Sequence, residues 1–279
     1  MTATKNTTLK CTIAALFIAL AACGKKENSA TPEKTADTIY QVRTITTNGL
    51  TTDSFVYINN QIRECWKYDR ERTLLSVNKS VYTYGTNGLL VHSRRETHNE
   101  NPDNGYTIDS IAWLPDQIII YSAEYSASNS VHYRDTAKYR IDNNKNIIFN
   151  GDKNGTPPAY EEFIYTGNNM TTQNEKTGVT QPNGIELTAH YTLEYGNLVN
   201  PLYTYFINNP IVALKDHYWD SHIVRSQNNL TKRTATGTIG NSVSVSTTIL
   251  PGTNYVSGYV TTNPNRTVKV DYTFNKVIK

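Results

Sequence analysis

The stretch that decides the fold is Val81–Val91, which reads Val-Tyr-Thr-Tyr-Gly-Thr-Asn-Gly-Leu-Leu-Val. Alternating aromatic residues are followed by Asn87-Gly88 and then by aliphatic residues, a pattern typical of a β-hairpin. If Asn87 and Gly88 form the centre of a type I′ turn, Tyr84 lies opposite Val91. Because side chains alternate between the two faces of a strand, the two tyrosines would then share a face with Leu89 and Val91.

The same pattern recurs along the chain with a period of about 26 to 30 residues. In each copy an aromatic anchor precedes a turn rich in Asn, Gly or Asp, and an aliphatic residue follows. The anchors, spaced 27, 29, 26, 26 and 30 residues apart, are Tyr57, Tyr84, Trp113, Tyr139, Tyr165 and Tyr195. Weaker copies surround Asn228-Asn229 and Asn275-Lys276. One period is too short for a crossover helix and fits one hairpin plus its connection, so the sheet should be an antiparallel, up-and-down meander.

The sequence after the leader predicts an all-β fold. No window shows the 3.6-residue apolar spacing of a helix. A single hairpin is marginally stable, so the repeated antiparallel hairpins should pack side by side and bury a shared aromatic face. A twisted sheet with so many strands should curl, and we therefore expect a large curved sheet, a half-barrel or a barrel.

The first 37 residues predict export and a membrane anchor. Residues 1–22 combine Lys5 and Lys10 with the apolar run Thr12–Ala22, which is typical of a signal peptide. The run ends in Leu-Ala-Ala-Cys-Gly, similar to a bacterial lipobox, so we expect cleavage before Cys23 and lipidation of that residue. A plain secretory signal is the alternative. Residues 23–37 then form the lipidated cysteine and a flexible tether, and residues 38–279 form a single β-repeat domain.

Charge and cysteine content exclude several function classes. The formal net charge of +3 falls to +1 when the two lysines of the leader are removed, so nothing favours nucleic acid as a partner. Besides Cys23, the mature chain contains only Cys65, which precludes an intramolecular disulfide. Gly24, the residue after Cys23, favours the outer membrane as the location. The side of the membrane that the protein faces stays open.

These features together resemble a known type of protein. The recurring Tyr-x-Tyr, turn, Leu or Ile pattern is similar to the Tyr-Asp (YD) repeats of Rhs-type wall proteins. Asn200–Tyr203 and Ser226–Lys232, with the lipobox and tether, resemble a family of Bacteroidetes lipoproteins that carry YD-like repeats and have no assigned function. That resemblance implies a β-repeat domain without catalytic residues. The Asp of the repeat is replaced here, as in Tyr84-Gly85, and we do not expect the toxin-encapsulating role of Rhs proteins to carry over.

Two groups of residues are candidate sites. In the segment Asp216–His222, alternate positions of a strand would align Asp216, Asp220 and His222, which are plausible ligands for a divalent ion. The alternative is an edge strand whose charges face water. Aromatic residues that could stack on a sugar or cover an apolar ligand are Trp66, Trp113, Tyr203, Tyr205, Tyr218 and Trp219. Their alternative role is packing in the core of the sheet.

The leading functional prediction is a lipid-anchored cell-envelope protein that is not an enzyme and needs no cofactor. It would act as a binding or structural module for a glycan, a peptide or another envelope protein. The second prediction is a periplasmic carrier that holds a hydrophobic molecule inside the curled sheet. The third is a metal-dependent hydrolase that uses the Asp216–His222 segment.

Overall fold

Strands follow one another along the chain as the hairpin pattern predicts. The structure is a computed structural model that describes residues 38–71, 74–98, 105–180, 184–212, 214 and 221–278. In this part of the chain the strands are β1 Thr38–Thr47, β2 Leu50–Ile58, β3 Gln61–Glu71, β4 Leu74–Tyr84, β5 Leu90–His98, β6 Tyr106–Trp113, β7 Gln117–Tyr125, β8 Val131–Ile141, β9 Ile147–Asp152, β10 Ala159–Thr166, β11 Asn169–Thr180, β12 Glu186–Val199, β13 Asn228–Gly237, β14 Val243–Ile249, β15 Val256–Asn263 and β16 Arg266–Ile278. Helical turns α1 (Tyr203–Phe206) and α2 (Ser221–Val224) lie between β12 and β13.

The strands form a closed barrel within the unit Ile39–Val277. Each strand pairs with its neighbours in the chain, and β16 returns to pair with β1. Consecutive strands pair in an antiparallel direction, as β6 does with β7. Closure leaves no edge strand exposed to association with other chains. The prediction of an all-β, up-and-down fold is confirmed, and of the three expected shapes the barrel is the one that forms.

The repeated aromatic anchors gather at one end of the barrel. Each anchor lies near the last residue of an even-numbered strand, from Tyr57 in β2 to Tyr195 in β12. Even-numbered strands all run in the same direction in an up-and-down barrel, so their ends lie together. We call this the aromatic end. It is where the hairpin turns predicted from the sequence are found.

The turn in Val81–Val91 differs from the predicted one. Tyr84 pairs with Leu90, not Val91, and a five-residue loop from Gly85 to Leu89 joins the strands. The Gly85 N–H donates to the Leu89 carbonyl (2.9 Å), and the Asn87 side-chain oxygen accepts from the Leu89 N–H (3.1 Å). The side chain of Asn87 therefore closes the loop as an Asx turn. As a result Leu90 is fully buried, whereas Val91 is 39% exposed.

The two weaker copies of the repeat are not hairpins. Asn228 and Asn229 lie inside β13, and Asn275 and Lys276 lie inside β16. The expectation that no helix follows the leader was also wrong, because α1 and α2 are present. A helix of four residues is too short to produce a detectable 3.6-residue period.

The two faces of the barrel wall differ in chemistry. Toward the aromatic end the inner face is apolar, with fully buried side chains such as Tyr82, Ile120 and Met170. The outer face carries charged pairs, such as Lys79–Glu64 (3.2 Å) and Lys176–Glu186 (2.7 Å). A barrel that spans a membrane presents an apolar band about 25 Å tall to lipid. The outer face described here carries charged pairs together with exposed apolar side chains, such as Tyr121 and Ile164.

Among the described residues, no helix has the length and apolar character that crossing a membrane requires.

Candidate functional site

The connection between β12 and β13 folds across the aromatic end. We call its described residues within 200–227 the plug. Asn200 anchors both ends of it, because its side-chain amide donates to the carbonyls of Ile223 (2.6 Å) and Ser226 (2.8 Å), and its side-chain oxygen accepts from the Leu202 N–H (3.0 Å). The plug buries four apolar side chains against the barrel: Leu202, Phe206, Ile211 and Val212.

The aromatic anchors bind the plug. The Tyr205 ring packs edge-on against Tyr57, with 5.1 Å between ring centroids. The Asn209 side chain donates to the Tyr84 hydroxyl (3.0 Å). Burial raises the pKa of Tyr84 to about 12, so this hydroxyl stays neutral. The anchors therefore serve to hold the plug in addition to packing hairpin against hairpin.

The apolar half of the barrel is filled. Its two described cavities have volumes of about 20 Å³, beside Tyr165 and Phe206, and about 10 Å³, beside Val256 and Tyr272. One water molecule needs roughly 10–15 Å³ measured in this way. The predicted carrier of a hydrophobic molecule requires an open apolar cavity, and this region has no room for a long acyl chain.

Several predicted ligand-binding aromatics have structural partners. Trp113 faces inward and its Nε1 donates to the Leu90 carbonyl (2.8 Å). Trp66 lies on the outer face, where its Nε1 donates to Glu64 (3.0 Å) and the Lys79 ammonium lies over its ring. Tyr203 and Tyr205 belong to the plug, half-buried.

Part of the predicted metal site cannot be placed. Asp216, Tyr218, Trp219 and Asp220 lie outside the described residues, as does Cys23. His222 is described; it is buried, and within the described residues its ring contacts Arg233 and Tyr191 and no carboxylate. In the described part of the chain, no group of three or more His, Cys, Asp or Glu side chains is arranged to hold a metal ion. The metal site stays a prediction.

Away from the aromatic end the inner face becomes polar. Along β7 the inward side chains change from Ile118 and Ile120 to Ser122 and Glu124. On the neighbouring strand β8, Tyr133 pairs with Glu124 and also faces inward, yet it is 59% exposed. Inward side chains that contact solvent show that this half of the barrel, which we call the lumen, is open to water.

A group of acids and amides lines the lumen where β9, β10 and β11 meet. Glu161 pairs in register with Asn150 on one side and Glu175 on the other, so the three side chains share one face. The amide of Asn150 donates to Glu161 Oε2 (3.2 Å), and that of Gln173 donates to Glu161 Oε1 (3.1 Å). Burial, and then the charge of Glu161, raises the pKa of Glu175.

This acid-amide group has capacity to accept further hydrogen bonds. Each carboxylate has about four acceptor sites, and among the described residues one hydrogen bond reaches each oxygen of Glu161. Gln173 is 3% exposed, and its buried side-chain oxygen has no hydrogen-bond partner in the described part of the chain. A buried polar atom without a partner costs about 1–3 kcal/mol. A ligand that donates hydrogen bonds would remove that cost.

Basic side chains lie next to the acid-amide group, because Tyr191 of β12 pairs in register with Gln173 of β11. The ring of Tyr191 packs against the imidazole of His222 (5.3 Å) and the guanidinium of Arg233 (5.2 Å). Burial, and then the charges of Arg233 and Arg225, lower the pKa of His222 to about 3, so this imidazole is neutral near neutral pH. Sequence reasoning named His222 only as a metal ligand and missed the other members of both groups, because only the strand register brings them together.

The chain matches no protein-family model and no curated protein. Two solved structures share a similar fold. One is a porin-like protein from Bacteroides vulgatus ATCC 8482, with a TM-score of 0.40 and 10% identity, and the alignment covers 85% of this chain and 99% of that one. The other is a porin-like protein from Bacteroides uniformis ATCC 8492, with a TM-score of 0.39, 12% identity and coverage of 76% and 95%.

Proposed function

We propose that this protein is a non-enzymatic, lipid-anchored barrel of the bacterial cell envelope that binds a segment of glycan in its lumen. The observation that carries the proposal is the contrast between the two halves of the barrel interior. One half is filled by the plug, and the other is open to water and lined by hydrogen-bonding groups with unused capacity. We infer that a barrel whose interior is filled at one end would bind a ligand in its open half and would not act as a channel.

A glycan fits the chemistry of the lumen. Sugars present many hydroxyl donors, which carboxylates and amide oxygens accept, and they stack on aromatic rings. Glu161, Glu175 and Gln173 supply acceptors on β10 and β11. Tyr133 supplies an exposed ring on β8, two strands away from β10.

The location rests on the sequence of the first 37 residues and on the outer face. A lipidated Cys23 would hold the barrel at the outer membrane, and the charged outer face is suited to water beside that membrane. The hairpin period and the Asn200–Tyr203 and Ser226–Lys232 segments support membership of the YD-repeat lipoproteins.

The lipid anchor is tested by growing cells with labelled palmitate. Cys23→Ala should abolish incorporation, and label retained by the variant would contradict the anchor.

Glycan binding is tested with the mature protein on an array of neutral oligosaccharides, followed by calorimetry with the oligosaccharide that binds best. Glu161→Gln should weaken binding about tenfold or more, because hydrogen bonds to a charged acceptor contribute about 1.5–3 kcal/mol. The matched control is Glu162→Gln, since Glu162 lies next in the chain and pairs with Lys153 outside the lumen. Absence of binding across the array, or equal weakening by both variants, would contradict the proposal.

A further inference from the structure

We propose that a cavity between β13–β16 and α2 binds a small organic anion, a carboxylate with an apolar body. The cavity has a volume of about 170 Å³. One of its lining residues, Arg233, packs on Tyr191, the register partner of Gln173 in the acid-amide group, but the proposal does not depend on glycan binding. Three features of its lining carry the proposal.

The walls of the cavity are apolar. Valines from two strands, together with Leu230 of β13 and the ring of Tyr259 of β15, supply the apolar lining; the valines are Val243 and Val245 of β14 and Val268 and Val270 of β16. A cavity of about 150 Å³ with such walls accommodates a molecule of the size of benzene. The volume therefore suits one aromatic ring or a short branched chain, and it excludes a long acyl chain.

The polar part of the lining is basic. Arg233 and Arg266 both face the cavity, and no Asp or Glu is among the described residues that line it. Arg266 pairs in register with Asn263, which faces the same side, and its side chain is exposed. Guanidinium groups bind carboxylates with paired, charge-assisted hydrogen bonds. An anionic head group would therefore meet the positive charge of these two guanidinium groups.

His222 adds a donor that has no hydrogen-bond partner among the described residues. The residue is 7% exposed, and its Nδ1 lies 3.1 Å from Arg233 NH1. Because a guanidinium only donates, Nδ1 accepts, and the ring proton of the neutral imidazole is on Nε2. The Nε2 atom is buried and makes no hydrogen bond. A ligand oxygen that accepts from Nε2 would satisfy this donor.

The test compares three probes by calorimetry or by ligand-observed NMR on the mature protein. Phenylacetate has both the charged head and the apolar body, phenylacetamide lacks the charge, and acetate lacks the body. Phenylacetate should bind about tenfold or more tightly than either of the others, because a charge-assisted hydrogen bond and a buried ring each contribute more than about 1.4 kcal/mol. Equal affinity for phenylacetate and phenylacetamide, or no binding of phenylacetate at millimolar concentration, would overturn the proposal.

A pair of variants assigns the binding to this cavity. Arg266→Gln should weaken phenylacetate binding severalfold and leave phenylacetamide unaffected. Lys269→Gln makes the same change of charge on the same strand, but Lys269 faces outward beside Asp271 (2.9 Å) and should have no effect. Circular dichroism and thermal unfolding check that both variants fold. If phenylacetate binds Arg266→Gln and the original protein equally well, it binds elsewhere and the assignment fails.

Discussion

Glu175 faces Glu161 across β10 and β11, and the raised pKa of its carboxyl group links the lumen to stability. A carboxyl group whose pKa is higher in the folded than in the unfolded state holds its proton longer when folded. Its stabilising contribution is present at low pH and is lost as the pH rises from the ordinary value of 4.5 through the raised value. Glu175 therefore opposes folding near neutral pH.

Replacing Glu175 should remove that penalty. The free energy of unfolding of the original protein should fall as the pH is raised from about 5 to about 7.5, and we expect a smaller fall for Glu175→Gln. Urea unfolding at the two pH values measures the difference. Glu162→Gln serves as the control, because the hydrogen bond from Lys153 lowers the pKa of Glu162 below its ordinary value of 4.5. The contribution of Glu162 therefore changes only below the measured interval, and this variant should keep the pH dependence of the original protein. A Glu175→Gln variant with an unchanged pH dependence would show that the Glu161–Glu175 pair is well solvated.

Single residues also show which contacts a sequence reveals. The sequence places Glu161 and Glu162 on opposite faces of one strand, and the structure agrees, since Glu161 faces the lumen and Glu162 pairs with Lys153 outside it. The partner that matters for the lumen is Glu175, which lies beyond a hairpin turn. Its position depends on the bulge in the β10–β11 register, a feature that alternation of side chains does not encode.

At the scale of elements, the hairpin period predicted the antiparallel direction of the strands and the shared face of the aromatic anchors. It could not predict the plug, because α1 and α2 are single turns and the plug is held by hydrogen bonds between distant residues. Several of the candidate site residues named from the sequence belong to this connection, among them Tyr203, Tyr205 and His222. In the structure, its described residues close the barrel, and only His222 among the predicted site residues lines a cavity large enough for a ligand.

The plug should detach most readily when Asn200 is changed. Its side chain makes three hydrogen bonds at the base of the plug and is 4% exposed. We expect Asn200→Ala to lower the free energy of unfolding by about 2–4 kcal/mol, because buried carbonyl groups lose their donor. Limited proteolysis should then cut within residues 200–227 before it cuts the strands. Asn197→Ala, at an exposed position of β12, is the control, and equal protease sensitivity of the two variants would argue against this role.

At the scale of the whole molecule, the chemistry of the outer face bears on the proposal that the barrel lies beside the membrane. Closure depends on pairing of the first strand with the last, which no local pattern encodes, so the sequence alone left three shapes open. Because side chains alternate between the two faces of a strand, the sequence does predict which charged residues lie on the outer face once the inward-facing residues are known. Burying an unpaired Arg or Lys at the middle of a bilayer costs about 2–4 kcal/mol, and paired charges recur on strands β3 to β5, β11 to β13 and β16.

This difference predicts how the protein partitions between detergent and water. We expect the lipidated protein to enter the detergent phase of a Triton X-114 separation, and the Cys23→Ala variant, exported through a signal peptide without a lipobox, to stay in the aqueous phase. The reason is that the acyl chains, worth about 0.8 kcal/mol per buried methylene, would be the only part with affinity for the detergent core. A barrel that spans the bilayer would enter the detergent phase with or without its lipid. Recovery of the variant in that phase would therefore show that the barrel wall itself contacts lipid, despite the charged pairs on its outer face.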